Sequence, residues 1–457
     1  MNLTDLINKQ IAIVGYGMEG RALANYLLKH NLSPTLIDEL PWEEWPEADK
    51  ALIRNLQINF IFGPHAFLEL GAFDVIFRSP GVSLAKLKDK VQEQCIITSQ
   101  TQWFFEHCPG QIIGITGTKG KGTTASLIYE ILKHNLAQHN AQAKVFLTGN
   151  IGQIQPAQVL AELKANDYVV YELSSFQLQD LHTSPHIAVI LMVTSDHLDY
   201  HKNLSEYYEA KSAIAKFQTP KDFCVINADV PASVQIGDLS PGQKIFFSRK
   251  NQVKNGCFFN NQHIVFTESN FKLSIQNFLL KGQHNIENIS AAILVARLLN
   301  VGFPEIETVL QKFKGLEHRL ELVTEKNGVK YYNDSFSTTP ETAIAGINAF
   351  TEPLIVILGG SSKNADFKEL GQVISETKNV KAVILIGEEA KNLEPNIRRP
   401  DVQILKGAQN MGEIFKQIRQ TAKAGDVVLL SPACASFGMF KNYKERGEQF
   451  KKFAINE

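Results

Sequence analysis

Short apolar runs rich in isoleucine and valine alternate with longer amphipathic stretches along almost the whole chain. That is the pattern of parallel sheets covered by helices, and it predicts an α/β fold. Strands are expected at Ile11–Val14, Thr35–Ile37, Val75–Phe77 and Ile96–Thr98. A second series begins at Gln111–Thr116, after the turn-prone Cys108–Pro109–Gly110, and continues through Val145–Leu147, Tyr168–Tyr171 and Ile187–Val193. The stretch Ile245–Phe266 reads as short antiparallel strands with an Asn260–Asn261 turn, a small sheet appended to the second series. A helix from His284 to Leu299 closes that part. The alternation restarts after Gly315, with strands at Leu354–Leu358, Ala382–Ile386, Val402–Leu405 and Val427–Leu430.

The chain has 457 residues, enough for about two to four domains. Basic and acidic side chains nearly balance, 46 against 47, so no general attraction to nucleic acid or an anionic membrane is expected. No apolar run approaches the length of a membrane span, and the start, MNLTDLINKQ, lacks the features of a signal peptide. Five scattered cysteines without a C-x-x-C point to a reducing compartment, with neither disulfides nor a zinc site.

Chemistry concentrates at strand ends. Ile112–Gly122 reads IIGITGTKGKG between an apolar strand and a helix-like run, Thr124–His134. Glycines there let backbone N–H groups approach phosphates, the helix start favours their charge, and Lys121 can neutralise phosphate oxygens. Gly122 stands where such loops commonly place a metal-binding hydroxyl, which leaves Thr123 or Thr124 to supply it. Gly15, Gly17 and Gly20 form G-x-G-x-x-G after the first strand, with Asp38 at the end of the next. That reads as a nucleotide crevice or as tight strand–helix packing. Arg78–Ser79–Pro80–Gly81 would line the same crevice. Glu172 ends another strand, where a carboxylate is well placed for Mg²⁺. Asp196–His197–Leu198–Asp199 follows a further strand. Lys211 sits among Ala210, Ala213, Ile214 and Ala215 in the helical pattern Ser205–Phe217, where desolvation would lower its pKa.

Taken together, these segments resemble the Mur ligase family. The resemblance rests on Gly117–Thr118–Lys119–Gly120–Lys121, Gly149–Asn150–Ile151–Gly152, Glu172–Gln177, Asp196–Asp199 with Lys211, Gly282–Asn288, Glu317–Glu321, Asn333–Ser335 and Ser431–Phe437, which occur in family order along the whole chain. It implies three domains: a Rossmann-like UDP-binding domain over 1–99, a P-loop ATPase domain over 100–315 with a parallel sheet plus a small antiparallel one, and a Rossmann-like amino-acid-binding domain over 316–457. It implies an ATP- and Mg²⁺-dependent ligase of cytoplasmic peptidoglycan precursor synthesis, a monomer joining D-glutamate to UDP-N-acetylmuramoyl-L-alanine through an acyl phosphate.

Site roles follow residue by residue from the same resemblance. Gly117, Thr118, Lys119, Gly120, Lys121, Gly122, Thr123, Asn285, Asn288, Arg319 and Asp334 would bind ATP. Gly15, Tyr16, Gly17, Asp38, Ser79, Pro80, Gly81, Asn150, Ser174 and Gln177 would bind the UDP substrate. Thr338, Lys363, Ser436, Phe437 and Tyr443 would hold the incoming amino acid, with a helix starting at Ser436. Glu172 would ligate one Mg²⁺, and His197 a second together with Lys211 as an N-carboxylated lysine. Two departures stand out. The G-K-G form around Lys121 is shared with folylpolyglutamate synthases, and Phe336 stands where D-glutamate-adding members carry lysine. A related ligase with another acceptor or amino acid is therefore the alternative.

Overall fold

The computed structural model describes residues 1–139, 141–151, 154–196, 200–269, 271–280, 282–361 and 365–456. They form two compact units, Met1–Gln276 with Glu287–Val309, and Asn277–Ile286 with Leu310–Glu457. Among the described residues no helix is long and apolar enough to cross a membrane.

The first unit holds two sheets. One is all-parallel, built from β1 (Ile11–Val14), β2 (Thr35–Asp38), β3 (Phe60–Phe62), β4 (Val75–Arg78) and β5 (Ile96–Ser99), in the order β3-β2-β1-β4-β5. Alternate residues of β1 serve opposite faces. Ile11 and Ile13 pack with Leu23 and Leu27 of the helix Met18–Lys29, while Ala12 and Val14 pack with Phe67 and Leu70. Burial on both faces is why the strand reads as an unbroken apolar run. The edge strand β3 was not expected from sequence; Trp42 stacks on its Phe60 with ring centroids 4.9 Å apart.

The other sheet has nine strands: β6 (Gln111–Thr116), β7 (Val145–Gly149), β8 (Tyr168–Glu172), β9 (Ile187–Ile190), β10 (Phe223–Asn227), β11 (Gln243–Ser248), β12 (Gly256–Asn260), β13 (His263–Phe266) and β14 (Lys272–Ser274). Their order is β14-β13-β12-β11-β10-β9-β6-β8-β7. The chain leaves β6 towards β7 on one side and later reaches β9 on the other, so the carboxyl end of β6 lies at a switch in strand order, where α/β sheets bind ligands. The antiparallel strands are present, but they continue the parallel sheet rather than forming a separate one. β11 pairs parallel with both β10 and β12, and antiparallel pairing begins only at β12–β13.

The second unit carries β15 (Glu321–Lys326), β16 (Val329–Asn333), β17 (Leu354–Gly359), β18 (Val380–Ile386), β19 (Gln403–Leu405) and β20 (Val427–Leu430), in the order β15-β16-β20-β17-β18-β19. β15 and β16 form a hairpin that the strand expectations omitted. Its turn is Asn327–Gly328, both at positive φ, the signature of a two-residue hairpin. The helix expected to start at Ser436 is absent: Ala435 bridges Ser361, residues 437–439 turn, and the helix runs over Tyr443–Asn456.

Candidate functional site

The loop after β6 turns through Gly117 and Gly120, with φ of +154° and +89°. A Cβ on Gly120 would crowd Asn288 Oδ1 in a left-handed backbone, which favours glycine. The loop is anchored from the neighbouring strand end: Thr118 N–H donates to Met192 O at 2.7 Å, and the Thr118 hydroxyl donates to Thr194 O at 3.1 Å. Gly120 caps the helix Lys121–Gln138, whose first-turn amides face the loop. Lys121 Nζ donates back to the carbonyls of Gly117 (3.0 Å) and Thr118 (3.1 Å), while Lys119 is exposed. Gly122 and Thr123 are buried in the first helical turn, and the Thr124 hydroxyl donates to Asn288 Oδ1 at 3.3 Å.

Lys211 lies directly beneath this loop. It is 1% exposed. Its amine donates to Thr116 Oγ1 at 3.2 Å and Gly117 O at 3.1 Å, and sits 4.8 Å from the centre of the Tyr207 ring. Burial, and then the nearby Lys121 charge, hold this amine well below the ordinary lysine range, against the opposing pull of Asp196 and Glu172. Glu172, at the tip of β8, is buried and pairs in register with Ile115 of β6. Two lysines and two acidic groups thus converge on the end of one central strand. His197 lies outside the described residues.

The glycines after β1 have a different surrounding. Ser79 Oγ donates to Gly15 O at 2.6 Å, and a Cβ on Gly20 would lie 2.3 Å from that same carbonyl. Asp38 accepts the N–H of Tyr16 at 2.9 Å and of Leu40 at 3.0 Å. Tyr16 is buried under the Arg21 guanidinium, and Gly17 caps the helix that follows. Pro80 is half-buried and Gly81 exposed beside Ser79. Arg78 does not line the crevice with them. It points inward and is 1% exposed, forming an ion pair with Asp180 at 2.8 Å. Asn150 is exposed after β7. Ser174 caps the short helix Ser175–Leu178, and Gln177 Nε2 donates to Glu19 Oε1 at 2.7 Å. Burial raises the Glu19 carboxyl above its usual range, moderated by hydrogen bonds from Gln177 and Gln100.

In the second unit, Asp334 is buried at the end of β16 and accepts from Ser337 (2.5 Å), Ser431 (2.7 Å) and Leu320 N–H (3.1 Å). Burial pushes its carboxyl up to about 6. Arg319 stacks over the Phe336 ring at 4.0 Å, and Tyr443 packs edge-on against the same ring with centroids 5.0 Å apart. Thr338 is half-buried, Ser436 buried, and Phe437 62% exposed. Asn285 is buried near the start of the helix Gln283–Leu298. Lys363 lies outside the described residues.

Sequence reasoning passed over Thr116, Tyr207 and Asp180. Tyr207 had a readable signal, since it precedes Lys211 by one helical turn and must share its face. Asp180 had none, because its partner lies 102 residues away.

A glycine loop joining a buried central strand to a helix, with lysines and a strand-end carboxylate about it, defines a phosphate-binding α/β protein. Family models place the chain more closely. The MurD-like N-terminal domain of Mur ligases matches residues 9–97, the Mur ligase middle domain 115–296, and the Mur ligase glutamate ligase domain 318–434. The chain belongs to the Mur ligase family. It is 36% identical to the UDP-N-acetylmuramoylalanine–D-glutamate ligase of Acetivibrio thermocellus, over 97% of this chain and 96% of that protein. It is 34% identical to the protein of the same name from Ruminiclostridium cellulolyticum, over 99% and 97%. Among solved structures, UDP-N-acetylmuramate–alanine ligase of Thermotoga maritima shares the fold, with a TM-score of 0.59 at 18% identity, covering 98% of this chain and all of that one. So does the MurF ligase of Thermotoga maritima in complex with ADP, with a TM-score of 0.58 at 19% identity over 93% and 95%.

Proposed function

We propose that this chain is the ATP-dependent ligase that joins D-glutamate to UDP-N-acetylmuramoyl-L-alanine in cytoplasmic peptidoglycan precursor synthesis, acting as a monomer. The observation that carries this reading is the near full-length similarity to proteins bearing that activity in their name. The geometry at the end of β6 supports the chemistry. The L-alanine carboxylate oxygen attacks the γ-phosphorus of ATP and ADP leaves; the D-glutamate amine then attacks the acyl carbon and phosphate leaves. Negative charge gathers on the phosphate oxygens in the first step, and Lys121, the loop amides and the helix start would neutralise it.

Glu172 offers a hard oxygen ligand beside Lys211, a donor set that fits Mg²⁺. An amine held neutral by burial can accept CO₂ as a carbamate with loss of a proton, so Lys211 would supply an oxygen ligand with His197 at a second Mg²⁺ while Glu172 holds the first, with Thr123 as a further candidate. Bound Mg²⁺ shields phosphate charge. In this reading residues 1–99 bind the acceptor through Gly15–Gly17, Asp38 and Ser79–Gly81, joined by Asn150, Ser174 and Gln177. Residues 100–315 bind ATP, helped by Arg319 and Asp334. Residues 316–457 hold the amino acid through Thr338, Lys363, Ser436, Phe437 and Tyr443.

The test is ADP release by the purified protein across a panel of amino acids. Turnover requiring both D-glutamate and the UDP acceptor is expected. Phe336, with Arg319 stacked on it in place of a lysine, favours one second reading, a ligase for another amino acid. Turnover with L-glutamate or another amino acid, and none with D-glutamate, would establish that alternative.

A further inference from the structure

The side chain of Arg78 leaves the end of β4 and spends every nitrogen on a fixed partner. Nε donates to Asp180 Oδ2 at 2.8 Å. Nη1 donates to Val82 O at 2.7 Å, with Pro80 O (3.3 Å) and the Tyr200 hydroxyl (3.2 Å) also in reach. Nη2 donates to Phe176 O at 2.8 Å. Tyr200 repeats the connection, its hydroxyl donating to Pro80 O at 3.0 Å, with Val82 O at 3.2 Å and Gln179 Oε1 at 3.3 Å, while its ring packs on Phe176 at 4.2 Å. The partners fall into two groups. Pro80 and Val82 belong to the loop after β4 in the five-stranded sheet. Phe176, Gln179 and Asp180 follow Glu172 at the end of β8 in the nine-stranded sheet. Gln177 makes a further tie across the same junction, to Glu19.

We propose that Arg78 is a positioning residue for the acceptor nucleotide, fixing the Ser79–Val82 loop of one sheet against the Glu172–Asp180 segment of the other. The inference rests on the reading above that Ser79–Gly81 holds the acceptor. A planar guanidinium is needed because three directions must be satisfied from one side chain; lysine has a single ammonium and cannot span them. With the fork in place, the loop and the strand end bearing Glu172 move as one body. An acceptor whose UDP group is held by that loop would therefore present its L-alanine carboxylate at a constant distance from the phosphate loop. Arg78 touches no reacting atom in this scheme and acts through the loop.

Wild type, Arg78→Lys, Asp180→Asn and Tyr200→Phe are compared by calorimetric binding of UDP-N-acetylmuramoyl-L-alanine, by KM for the acceptor and for ATP, and by melting temperature. Tyr200→Phe deletes one hydroxyl and keeps the ring packing, so it reports even if the buried-charge variants fold poorly. Arg78→Lys is expected to weaken the acceptor about tenfold and Tyr200→Phe about threefold, with KM for ATP changed less than about twofold, since the lost bonds lie at the acceptor loop. Equal rises in both KM values alongside a lower melting temperature would overturn the proposal, leaving a purely structural ion pair. Unchanged acceptor binding in Tyr200→Phe and Arg78→Lys would overturn it as well. Failure of the wild type itself to bind the acceptor would instead overturn the assignment of the Ser79–Gly81 loop, on which the proposal stands.

Discussion

In the first unit, buried strands turn into helices through glycine clusters at Gly15–Gly20 and at Gly117–Gly122. Around the first turn, Gly15 and Gly20 are fixed by neighbouring atoms of the same sheet. Ser79 occupies the space beside Gly15, and Gly20 lies against the Gly15 carbonyl. The acid at the neighbouring strand end, Asp38, is engaged by backbone amides. Around the second turn the glycines are close-packed as well, and they also adjoin charge, with Lys121 folded over the loop and Lys211 buried beneath it. Two similar glycine patterns therefore carry different information. What separates them is that two lysine amines close on the second loop, whereas the acid beside the first is engaged by backbone amides.

Removing Lys211 should break the second loop's chemistry most completely. Lys211→Met is expected to lower kcat by about a thousandfold or more, as for loss of a group that acts in the transition state. The same variant tests the burial argument without any substrate. An unmodified lysine whose amine is lowered in the fold destabilises that fold progressively as pH falls from about 10, and no further once pH passes below the lowered value. Urea unfolding should show the stability of Lys211→Met rising relative to wild type across that window and flat above it. A difference independent of pH would mean the amine is charged in the fold.

Gly120→Ala comes next. It forces a side chain onto Asn288 and into a left-handed backbone, at a cost of about 1–3 kcal/mol, and should raise KM for ATP about tenfold or more through displacement of the loop. Gly20→Ala sharpens the contrast. Its added methyl meets backbone, so thermal unfolding should report a loss of about 1–3 kcal/mol while KM for ATP stays within about twofold. Asp38→Asn should be mildest. The amide keeps one acceptor and loses one backbone bond, costing about 1 kcal/mol, which denaturant titration can resolve.

Much of the fold was legible because buried parallel strands announce themselves. β1, β17 and β20 are apolar on both faces and read as unbroken runs. β3 and β10 escaped notice for the same physical reason that short apolar runs always do, since three to five residues fit a strand or a helix turn equally well. The β15–β16 hairpin was readable from Asn327–Gly328. The site was legible where chemistry is local. The phosphate loop carries its meaning in eleven consecutive residues, Ile112 to Gly122. Lys211 was partly legible, since its small neighbours foretold burial but not the Thr116 hydroxyl or the Tyr207 ring that receive it. Arg78 was misjudged because a cation before Ser-Pro-Gly looks like a loop residue, and only the fold supplies the distant Asp180 that draws it inward.

The strand order of the second unit bears on how the protein is made. β20, the last strand in the chain, lies at the heart of its sheet, paired with β16 on one side and β17 on the other. A ribosome synthesising this chain therefore finishes β15 to β19 before the strand that joins them exists. Until Val427–Leu430 emerges, β16 and β17 present open hydrogen-bonding edges to whatever is nearby. Slow translation of the final segment, or early termination within it, would leave a folded first unit tethered to an aggregation-prone second one.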